Sequence, residues 1–250
     1  MNLYLALMRR ELGSYFASLI GYVIIGMSLF LIGVSFSNLL GLLNTRPTDV
    51  PASELFFKSW YFWLILLLTT PLLTMRSYAL EKSTGTFETL TTTPVGEWEI
   101  VLAKFSSAMV VHMLIWLPPM LCLLGVRWYA SDIAGVGEGT VASTFLGIVL
   151  VGAFYLAMGC FASSLTSSQS IAAMLSFAMG AGMFLLSYWV LYAPDQLGTL
   201  APVLSRYSLI EHMQDFARGV LDTRHLVFYA SLILLFLYLT RKVLESRRWK

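Results

Sequence analysis

Charged side chains are scarce in this sequence. Only 12% of its 250 residues are Asp, Glu, Lys or Arg, whereas 58% are hydrophobic, and the mean hydropathy is +0.75. A soluble domain carries about 25% charged residues, so this chain has too few polar groups to cover a surface exposed to water. Its apolar residues form solid runs rather than the alternating pattern of a transmembrane β-barrel. The composition therefore favours an all-α polytopic membrane protein.

Cysteine is rare, and the signatures of common catalytic sites are absent. Cys122 and Cys160 both lie inside apolar runs without other metal-ligand residues at suitable spacing, so we expect neither a disulfide nor a metal site. The sequence has no G-x-x-x-x-G-K-[ST] phosphate loop, no H-E-x-x-H and no G-x-S-x-G. No basic stretch is typical of a nucleic-acid site. We therefore expect no catalytic site, no cofactor bound by this chain and no nucleic-acid partner.

Six apolar runs are each long enough to cross a bilayer as a helix. The first follows Arg9 and Arg10, but it is longer than a signal-peptide core and no cleavage site follows promptly, so we expect it to be retained. The predicted spans are Phe16–Leu39, Trp60–Leu80, Ile100–Val126, Val141–Ser163, Ser170–Tyr192 and Leu226–Leu244.

The distribution of Lys and Arg predicts the orientation of these spans. Six spans place both termini on one side, which carries ten basic residues: Arg9, Arg10, Arg76, Lys82, Lys104, Arg241, Lys242, Arg247, Arg248 and Lys250. The other side carries six: Arg46, Lys58, Arg127, Arg206, Arg218 and Arg224. Basic residues favour the cytoplasmic side, so we expect both termini in the cytoplasm. The expected location of the protein is a bacterial inner membrane.

The polar loop between the second and third spans has a regular pattern. Phe87 and Leu90 lie three residues apart, so they share one face of a short helix. Glu88 falls in the first turn of that helix, where the helix dipole favours an acid. Gly85 can end the second span, and Pro94 stops the short helix. The pattern allows two interpretations, an ordinary loop that ends two helices or a handle onto which a separate ATPase docks.

Several blocks of the sequence resemble the permease subunits of ABC-2-type transporters. The coupling-helix segment of that family is similar to EKSTGTFETLTTTPV at residues 81–95, followed by EIVLAK at residues 99–104. The gliding-motility-type branch has opening and closing blocks that look like RELGSYFAS at residues 10–18, LIEHMQDFARGVLD at residues 209–222 and VLESRRW at residues 243–249. The resemblance covers nearly the whole chain in order.

This resemblance implies one membrane domain over residues 1–250. It would contain six transmembrane helices, a short interfacial helix at residues 1–14, a cytoplasmic coupling segment at residues 81–95 and an external amphipathic cap segment at residues 194–224. The implied partners are ABC ATPase subunits that hold ATP and Mg, a second permease subunit that is identical or related, a chain with a large extracytoplasmic domain, and membrane lipid.

The resemblance also implies which residues lie at the joint with the ATPase. Those in the coupling segment are Glu81, Gly85, Thr86, Phe87, Glu88, Leu90 and Pro94, and those on the interfacial helix are Arg9, Arg10 and Glu11. Relatives often have a charged residue where this chain has Ser83-Thr84, so the ATPase contacts are expected to differ in detail.

Three features inside the spans allow both a structural and a functional interpretation. His112 is either an ionisable functional group or a neutral residue that shares a hydrogen bond with a neighbouring helix. Thr70-Pro71 and Pro118-Pro119 are expected to bend their spans. Small residues four apart in the fifth span let helices approach closely, either within one subunit or at a dimer or pathway face. These small residues are Ser176, Ala178, Gly180 and Gly182.

The segment at residues 194–224 is predicted to form an amphipathic helix, because Ile210, Met213, Phe216, Ala217 and Val220 recur at helical steps. Pro202 and Gly219 bracket it as stop signals. Glu211 and Asp215 form a like-charge pair four residues apart, and Arg218, three residues beyond Asp215, can relieve it. His212 lacks a second ligand at metal-binding spacing. The residues expected to define this cap are Arg206, Glu211, Phe216 and Gly219, and the cap either gates the pathway or anchors the last span. The loop Asn44–Lys58 is expected to be a plain external connector.

Three other functions compete with an ATP-driven permease. A stand-alone channel or carrier usually places several charged residues in its spans, and only His112 is offered here. An intramembrane enzyme would need paired acids or a recognised signature. A membrane anchor would use the same coupling loop to recruit an ATPase without forming a transport pathway.

Overall fold

The computed structural model describes residues 3–45, 52–86, 96–129, 138–192, 198 and 201–248. Within these ranges the chain forms helices and no strands. The helices, numbered in chain order, are α1 (Leu3–Phe16), α2 (Leu19–Thr45), α3 (Ala52–Lys58), α4 (Trp60–Thr74), α5 (Ala79–Ser83), α6 (Glu97–Tyr129), α7 (Glu138–Leu165), α8 (Gln169–Tyr192), α9 (Ala201–Ser205), α10 (Leu209–Arg218) and α11 (Thr223–Arg248).

Six of these segments are long and apolar enough to cross a membrane, which confirms the predicted all-α polytopic fold. The observed spans are Leu19–Leu42, Trp60–Ser83, Glu97–Gly125, Gly139–Leu165, Gln169–Tyr192 and Thr223–Ser246, and every predicted bound lies within three residues of the observed one. The predicted N-terminal helix at residues 1–14 is α1. The loop from residue 87 to residue 95 and the segment from residue 130 to residue 137 lie outside the described residues.

Helix α7 forms the centre of the bundle. In the most apolar stretch of α7, 72% of the residues are buried. In the corresponding stretches of α8 and α11, 22% and 17% are buried. Gly152 and Gly159 allow this close packing, because a Cβ atom there would lie 2.0 Å from His112 Nε2 and 2.2 Å from Thr74 Oγ1. Small residues at helix contacts let backbones approach inside a membrane. The central helix is thus fitted to its neighbours at defined glycines.

The second span is interrupted between α4 and α5. Helix α4 continues through Pro71 and ends at Thr74, and residues 75–78 form turns before α5 begins. The Ser163 hydroxyl of α7 accepts hydrogen bonds from the amides of Tyr78 and Ala79 at 3.1 and 3.2 Å and donates to the Met75 carbonyl at 3.2 Å. Because a side chain from the central helix replaces the missing helical bonds, the break is a fixed feature.

Helix α6 runs without interruption from Glu97 through Pro118 and Pro119 to Tyr129. The Glu99 carboxylate accepts a hydrogen bond from the Gly96 amide at 3.2 Å, which satisfies a donor at the start of the helix. His112 is fully buried on α6, and its Nε2 lies 3.4 Å from the Ile148 carbonyl of α7. This contact with a neighbouring helix agrees with the structural interpretation of His112.

The expectation of a plain connector at Asn44–Lys58 is wrong for its described second half, which forms α3. Phe56 and Phe57 are each 1% exposed and belong to the main hydrophobic core. The two rings pack edge to face at 4.9 Å, and Phe57 meets Phe62 of α4 at 4.8 Å. Aromatic burial of this kind outweighs the entropy of ordering a short loop, so the sequence LFF signals a packed helix.

Candidate functional site

Four charged side chains from three helices meet at the end of the bundle that bears both chain termini. Arg10 and Glu11 lie on α1, Glu81 lies on α5 at the start of the predicted coupling segment, and Lys104 lies on α6. Helix α1 packs along the first half of α6, where the Tyr4 hydroxyl donates a hydrogen bond to Ser106 Oγ at 2.8 Å. We call these four residues the charge cluster.

Each cation of the charge cluster contacts both anions. Arg10 Nη2 lies 2.8 Å from Glu11 Oε1 and 3.1 Å from Glu81 Oε1. Lys104 Nζ lies 3.0 Å from Glu11 Oε1 and 2.8 Å from Glu81 Oε1. The two positive and two negative charges therefore balance, and the bonds join α1, α5 and α6 in a single network.

The charge cluster is largely shielded from water. The side chain of Lys104 is only 3% exposed, and those of Glu11 and Glu81 are 14% and 16% exposed, whereas that of Arg10 is 54% exposed. Burial alone would raise the pKa of the Glu11 carboxyl, but Lys104 and Arg10 together outweigh burial and hold that pKa below its ordinary value. Removing one partner of a buried ion pair costs about 3–5 kcal/mol, so the cluster fixes the relative positions of the three helices.

The base of the predicted coupling segment is fixed to the bundle by further contacts. The Lys82 ammonium group donates a hydrogen bond to the Ser164 carbonyl at the end of α7. Gly85 has a φ of 73°, a conformation that favours glycine, and it ends the short helix that contains Glu81. Thr86 is exposed. Phe87, Glu88, Leu90 and Pro94 lie outside the described residues, so the predicted handle is seen only at its attachment.

Sequence reasoning placed three residues of the charge cluster among the candidate site residues and missed the fourth, Lys104. Lys104 belongs to the EIVLAK motif, but in the sequence analysis it serves only as one of the basic residues that predict the orientation of the spans. Its signal in the sequence is an ionisable side chain two turns inside an otherwise apolar helix, a position that requires a partner. Arg9, which is also expected at the joint with the ATPase, is exposed on α1 and is not part of the charge cluster.

A second link at the same end of the bundle joins α6 to α11. Arg241 Nε of α11 lies 3.4 Å from Glu97 Oε2, and its guanidinium group lies 5.3 Å from the Trp98 ring centroid. These half-buried contacts involve the first turn of α6, directly after the coupling loop. The two ends of that loop are therefore attached to the first and the last of the described helices, α1 and α11.

The small residues of α8 divide between two faces. Ser176 and Gly180 are buried, and a Cβ atom at Gly180 would lie 2.9 Å from the Tyr155 ring of α7. Ala178 and Gly182 are exposed, and a Cβ atom at Gly182 would meet nothing within 4 Å. The first pair packs within the chain, and only the second pair is open to another subunit.

The predicted external cap segment at residues 194–224 contains two helices, α9 and α10, rather than one, and α10 is packed at the opposite end of the bundle. Phe216 is fully buried, and a Cβ atom at Gly147 of α7 would lie 2.9 Å from it. Ser143 Oγ of α7 donates to the Phe216 carbonyl at 2.7 Å, and Ser53 Oγ of α3 donates to the Ala217 carbonyl at 2.8 Å. Side chains of two other helices thus satisfy the carbonyls at the end of α10.

Both ends of α10 are capped, and Gly219 is the stop signal expected from the sequence, whereas Pro202 lies inside α9. Ser208 accepts a hydrogen bond from the Glu211 amide at 3.4 Å, and Gly219 ends the helix with a φ of 89°. Glu211 is partly buried and Arg206 is exposed. Val220, which was predicted on the apolar face, lies beyond the cap and is 52% exposed. That part of the prediction is wrong because Gly219 turns the chain away from the helix.

The Asp215 carboxylate acts electrostatically on Arg218, as expected, but the hydrogen-bond partner of Arg218 lies on another helix. Arg218 forms two hydrogen bonds with the Glu54 carboxylate of α3, at 2.9 and 2.7 Å, and the side chain of Glu54 is only 5% exposed. A buried carboxylate gains more from a bidentate guanidinium than an exposed one does. Asp215 instead lies 3.1 Å from His225 Nε2 of α11.

Two histidines, His212 of α10 and His225 of α11, pack against each other between these helices. The rings of His212 and His225 lie 4.0 Å apart, and His212 Nε2 lies 3.1 Å from the Arg206 carbonyl. Burial and the neighbouring His225 lower the pKa of His212 to about 4. Within the described residues, no group of three His, Cys, Asp or Glu side chains has the geometry to hold a metal ion. His212 is therefore uncharged at neutral pH.

Comparison with known proteins identifies the family. A family model described as ABC-2 family transporter protein matches residues 51–240, which include four of the six observed spans in full, most of the last span, the loop after Glu81 and α10. A search of curated proteins finds no match to this chain.

Proposed function

Because the chain belongs to the ABC-2 family of transporter proteins and is a membrane component of an ABC transporter, we propose that a separate ATPase drives it through the coupling segment at residues 81–95. ATP and Mg would be held by that ATPase, since this sequence contains no phosphate loop. A second permease subunit, identical or related, would complete the transporter. The blocks at residues 10–18, 209–222 and 243–249 support a place in the gliding-motility-type branch, where a chain with a large extracytoplasmic domain is a further partner.

The charge cluster is the observation that supports this coupling role most directly. A force applied to the segment after Glu81 reaches α6 through Lys104 and α1 through Arg10 and Glu11. Lys82 connects the same segment to the Ser164 carbonyl of the central helix α7, and Ser163 of α7 accepts a hydrogen bond from the Tyr78 amide just before it. A passive anchor needs a surface that binds the ATPase, but it has no need of bonds that carry motion into three helices.

The proposed coupling role also requires a particular orientation of the protein in the membrane. We propose that the end bearing the charge cluster faces the cytoplasm of a bacterial inner membrane, supported by the ten basic residues on that side against six on the other. Single cysteines at Ser83, Asn44 and Asp222 test this with an impermeant thiol reagent in intact cells. Labelling is expected at Asn44 and Asp222 and not at Ser83. Labelling at Ser83, or no labelling at both Asn44 and Asp222, would refute the proposed orientation.

Gly85 provides a sharp test of coupling. We expect Gly85→Ala, which forces a left-handed conformation on a residue with a Cβ atom and costs about 1 kcal/mol, to lower ATP hydrolysis by the ATPase that copurifies with the full chain. Phe87→Asp should do the same by removing the apolar contact expected from the sequence. Gly198→Ala is the matched control, because Gly198 also has a positive φ of 52° but precedes α9 in the predicted external segment.

The outcomes of this experiment separate two parts of the proposal. If no ATPase copurifies with the native chain, the ATP-driven role is refuted. If an ATPase copurifies and Gly85→Ala and Phe87→Asp leave its stimulated rate equal to that of Gly198→Ala, the coupling role of residues 81–95 is refuted.

A further inference from the structure

A cavity lies beside the charge cluster, where α1 meets the start of α2. Its volume is about 420 Å³, and it is lined by residues of α1, α2, α4, α5 and α6. Arg76, Ser77, Ser14 and Ser18 give it a polar wall, and Ile20, Ile24 and Leu72 give it an apolar wall. The observed spans begin at Leu19 and include Trp60–Ser83, so the cavity is located at the membrane boundary on the side of the chain termini.

Arg76 is the distinctive charge of this cavity. It lies in the break between α4 and α5, and its Nη1 donates a hydrogen bond to Ser18 Oγ at 2.9 Å. Its Nε is buried and has no acceptor. Among the described residues, no carboxylate forms an ion pair with Arg76, whereas Arg10 and Lys104 are balanced by Glu11 and Glu81. The cavity lining therefore carries three positive and two negative charges and has a net positive charge.

The apolar wall distinguishes among anionic ligands. Ile20 and Leu72 are 42% and 38% exposed, and they continue onto the exposed surface of α2 at Leu19 and Val23. A free phosphate would leave this apolar surface unused. A phospholipid would use both walls, since its phosphate is a partner for a guanidinium group and its acyl chains can follow the apolar helix faces. Basic groups at a membrane boundary also attract anionic lipids in preference to zwitterionic ones.

We propose that this cavity binds the phosphate group of an anionic phospholipid from the leaflet on the side of the chain termini, with Arg76 as the principal ligand. Ser18 holds the guanidinium in place, and the acyl chains lie against Ile20 and Leu72. The bound lipid supplies the negative charge that Arg76 otherwise lacks. The site goes beyond the proposed coupling role and does not depend on an ATPase or on which side of the membrane is cytoplasmic.

Native mass spectrometry of the purified full chain tests the site. The probes are phosphatidylglycerol and phosphatidylcholine with the same acyl chains, titrated separately. We expect the native chain to bind phosphatidylglycerol more tightly, and Arg76→Gln to weaken that binding about fivefold or more. Arg76→Lys, which keeps the charge, should retain most of the affinity. Arg9→Gln is the matched control, because Arg9 is an exposed arginine on the same side of the membrane that does not line the cavity.

A steric variant makes the test independent of charge. Leu72→Trp should block the cavity mouth and weaken phosphatidylglycerol binding, whereas Leu68→Trp should not. Leu68 lies one turn earlier on α4, is 41% exposed and does not line the cavity. The proposal is overturned if Arg76→Gln binds phosphatidylglycerol as the native chain does, or if Leu72→Trp and Leu68→Trp behave alike. It is also overturned if excess inorganic phosphate displaces the lipid completely, since the site would then bind a free anion.

Discussion

Lys104 is the residue on which the charge cluster depends most. Its ammonium group contacts carboxylates from two other helices, and its side chain is 3% exposed. Lys104 lies inside the observed span Glu97–Gly125, where an ionisable group requires a partner. The sequence shows this lysine within an apolar run, but it does not show which acids meet it, because Glu11 and Glu81 are 93 and 23 residues away along the chain.

We therefore expect Lys104→Met to destabilise the protein by about 3 kcal/mol or more, because two poorly exposed carboxylates would then share Arg10 alone. The double variant Lys104→Met with Glu81→Gln should recover part of this loss, since the balanced pair Arg10–Glu11 remains. Thermal unfolding in detergent measures both effects. Lys242→Met is the control, because the Lys242–Glu245 pair is more exposed. Strictly additive losses in the double variant would show that the two residues are not coupled.

His212 gives a prediction for pH dependence. Its pKa is about 4 in the folded protein and 6.5 in the unfolded chain, so the unfolded chain binds the proton more readily between these values. The stability that His212 contributes is complete above about pH 6.5 and is lost as the pH falls towards 4. His225, Asp215, Asp222 and the Arg206 carbonyl surround the ring. His212→Gln should reduce the fall in melting temperature between about pH 7.5 and 5. An equal fall in both proteins would contradict this assignment.

At the scale of whole elements, α10 shows what helical periodicity can and cannot predict. The recurrence of Ile210, Met213 and Phe216 located the helix, and Gly219 located its end, because local sequence determines both features. The hydrogen bonds of Arg218 with Glu54 could not be predicted, because Glu54 lies 164 residues away along the chain. A local rule favours Asp215, but a buried carboxylate on another helix offers the stronger pair. Long-range contacts of this kind leave no local pattern.

A disulfide can decide whether α10 gates the pathway or anchors the last span. An ideal Cβ atom at Gly219 lies 3.9 Å from the Thr140 Cβ of α7, close to the mean spacing of about 3.8 Å in disulfides. We expect Thr140→Cys with Gly219→Cys, in a chain with Cys122→Ser and Cys160→Ala, to keep normal ATPase stimulation after oxidation. The reason is that Phe216, Ser143 and Ser53 already hold α10 on the bundle.

The single variant Gly219→Cys controls for strain at a residue with a φ of 89°. Stimulation that is lost on oxidation of the double variant only, and restored by reductant, would show that α10 must move relative to α7. The anchor interpretation would then be wrong and the gate interpretation correct.

At the scale of the whole molecule, hydropathy predicted all six spans but not their arrangement. In a soluble helix, the apolar face identifies the core. In a membrane, lipid and protein interior are both apolar, so the composition of a span does not show which face is buried. Gly152 and Gly159 fit α7 to its neighbours, yet they look like ordinary glycines in an apolar run. The same limit left the faces of α8 unresolved, since Ser176 and Gly180 face inward while Ala178 and Gly182 face outward.

That division leads to a prediction about assembly. Ala178 and Gly182 lie on an exposed stripe of α8 with Met174 and Leu185, which are 72% and 60% exposed. If two permease subunits meet along this stripe, the small side chains let the helices approach closely. Ala178→Leu with Gly182→Leu should therefore weaken dimerisation about tenfold, without changing the fold, because a Cβ atom at Gly182 contacts nothing within 4 Å.

Förster transfer between labelled subunits in liposomes measures the equilibrium. Ala230→Leu, at an exposed alanine of α11, controls for added bulk on an outer helix. Gly180→Ala should instead disturb the fold of the single chain, because its Cβ atom would lie 2.9 Å from Tyr155. Unchanged dimerisation in the Ala178→Leu, Gly182→Leu variant would exclude this stripe as the interface.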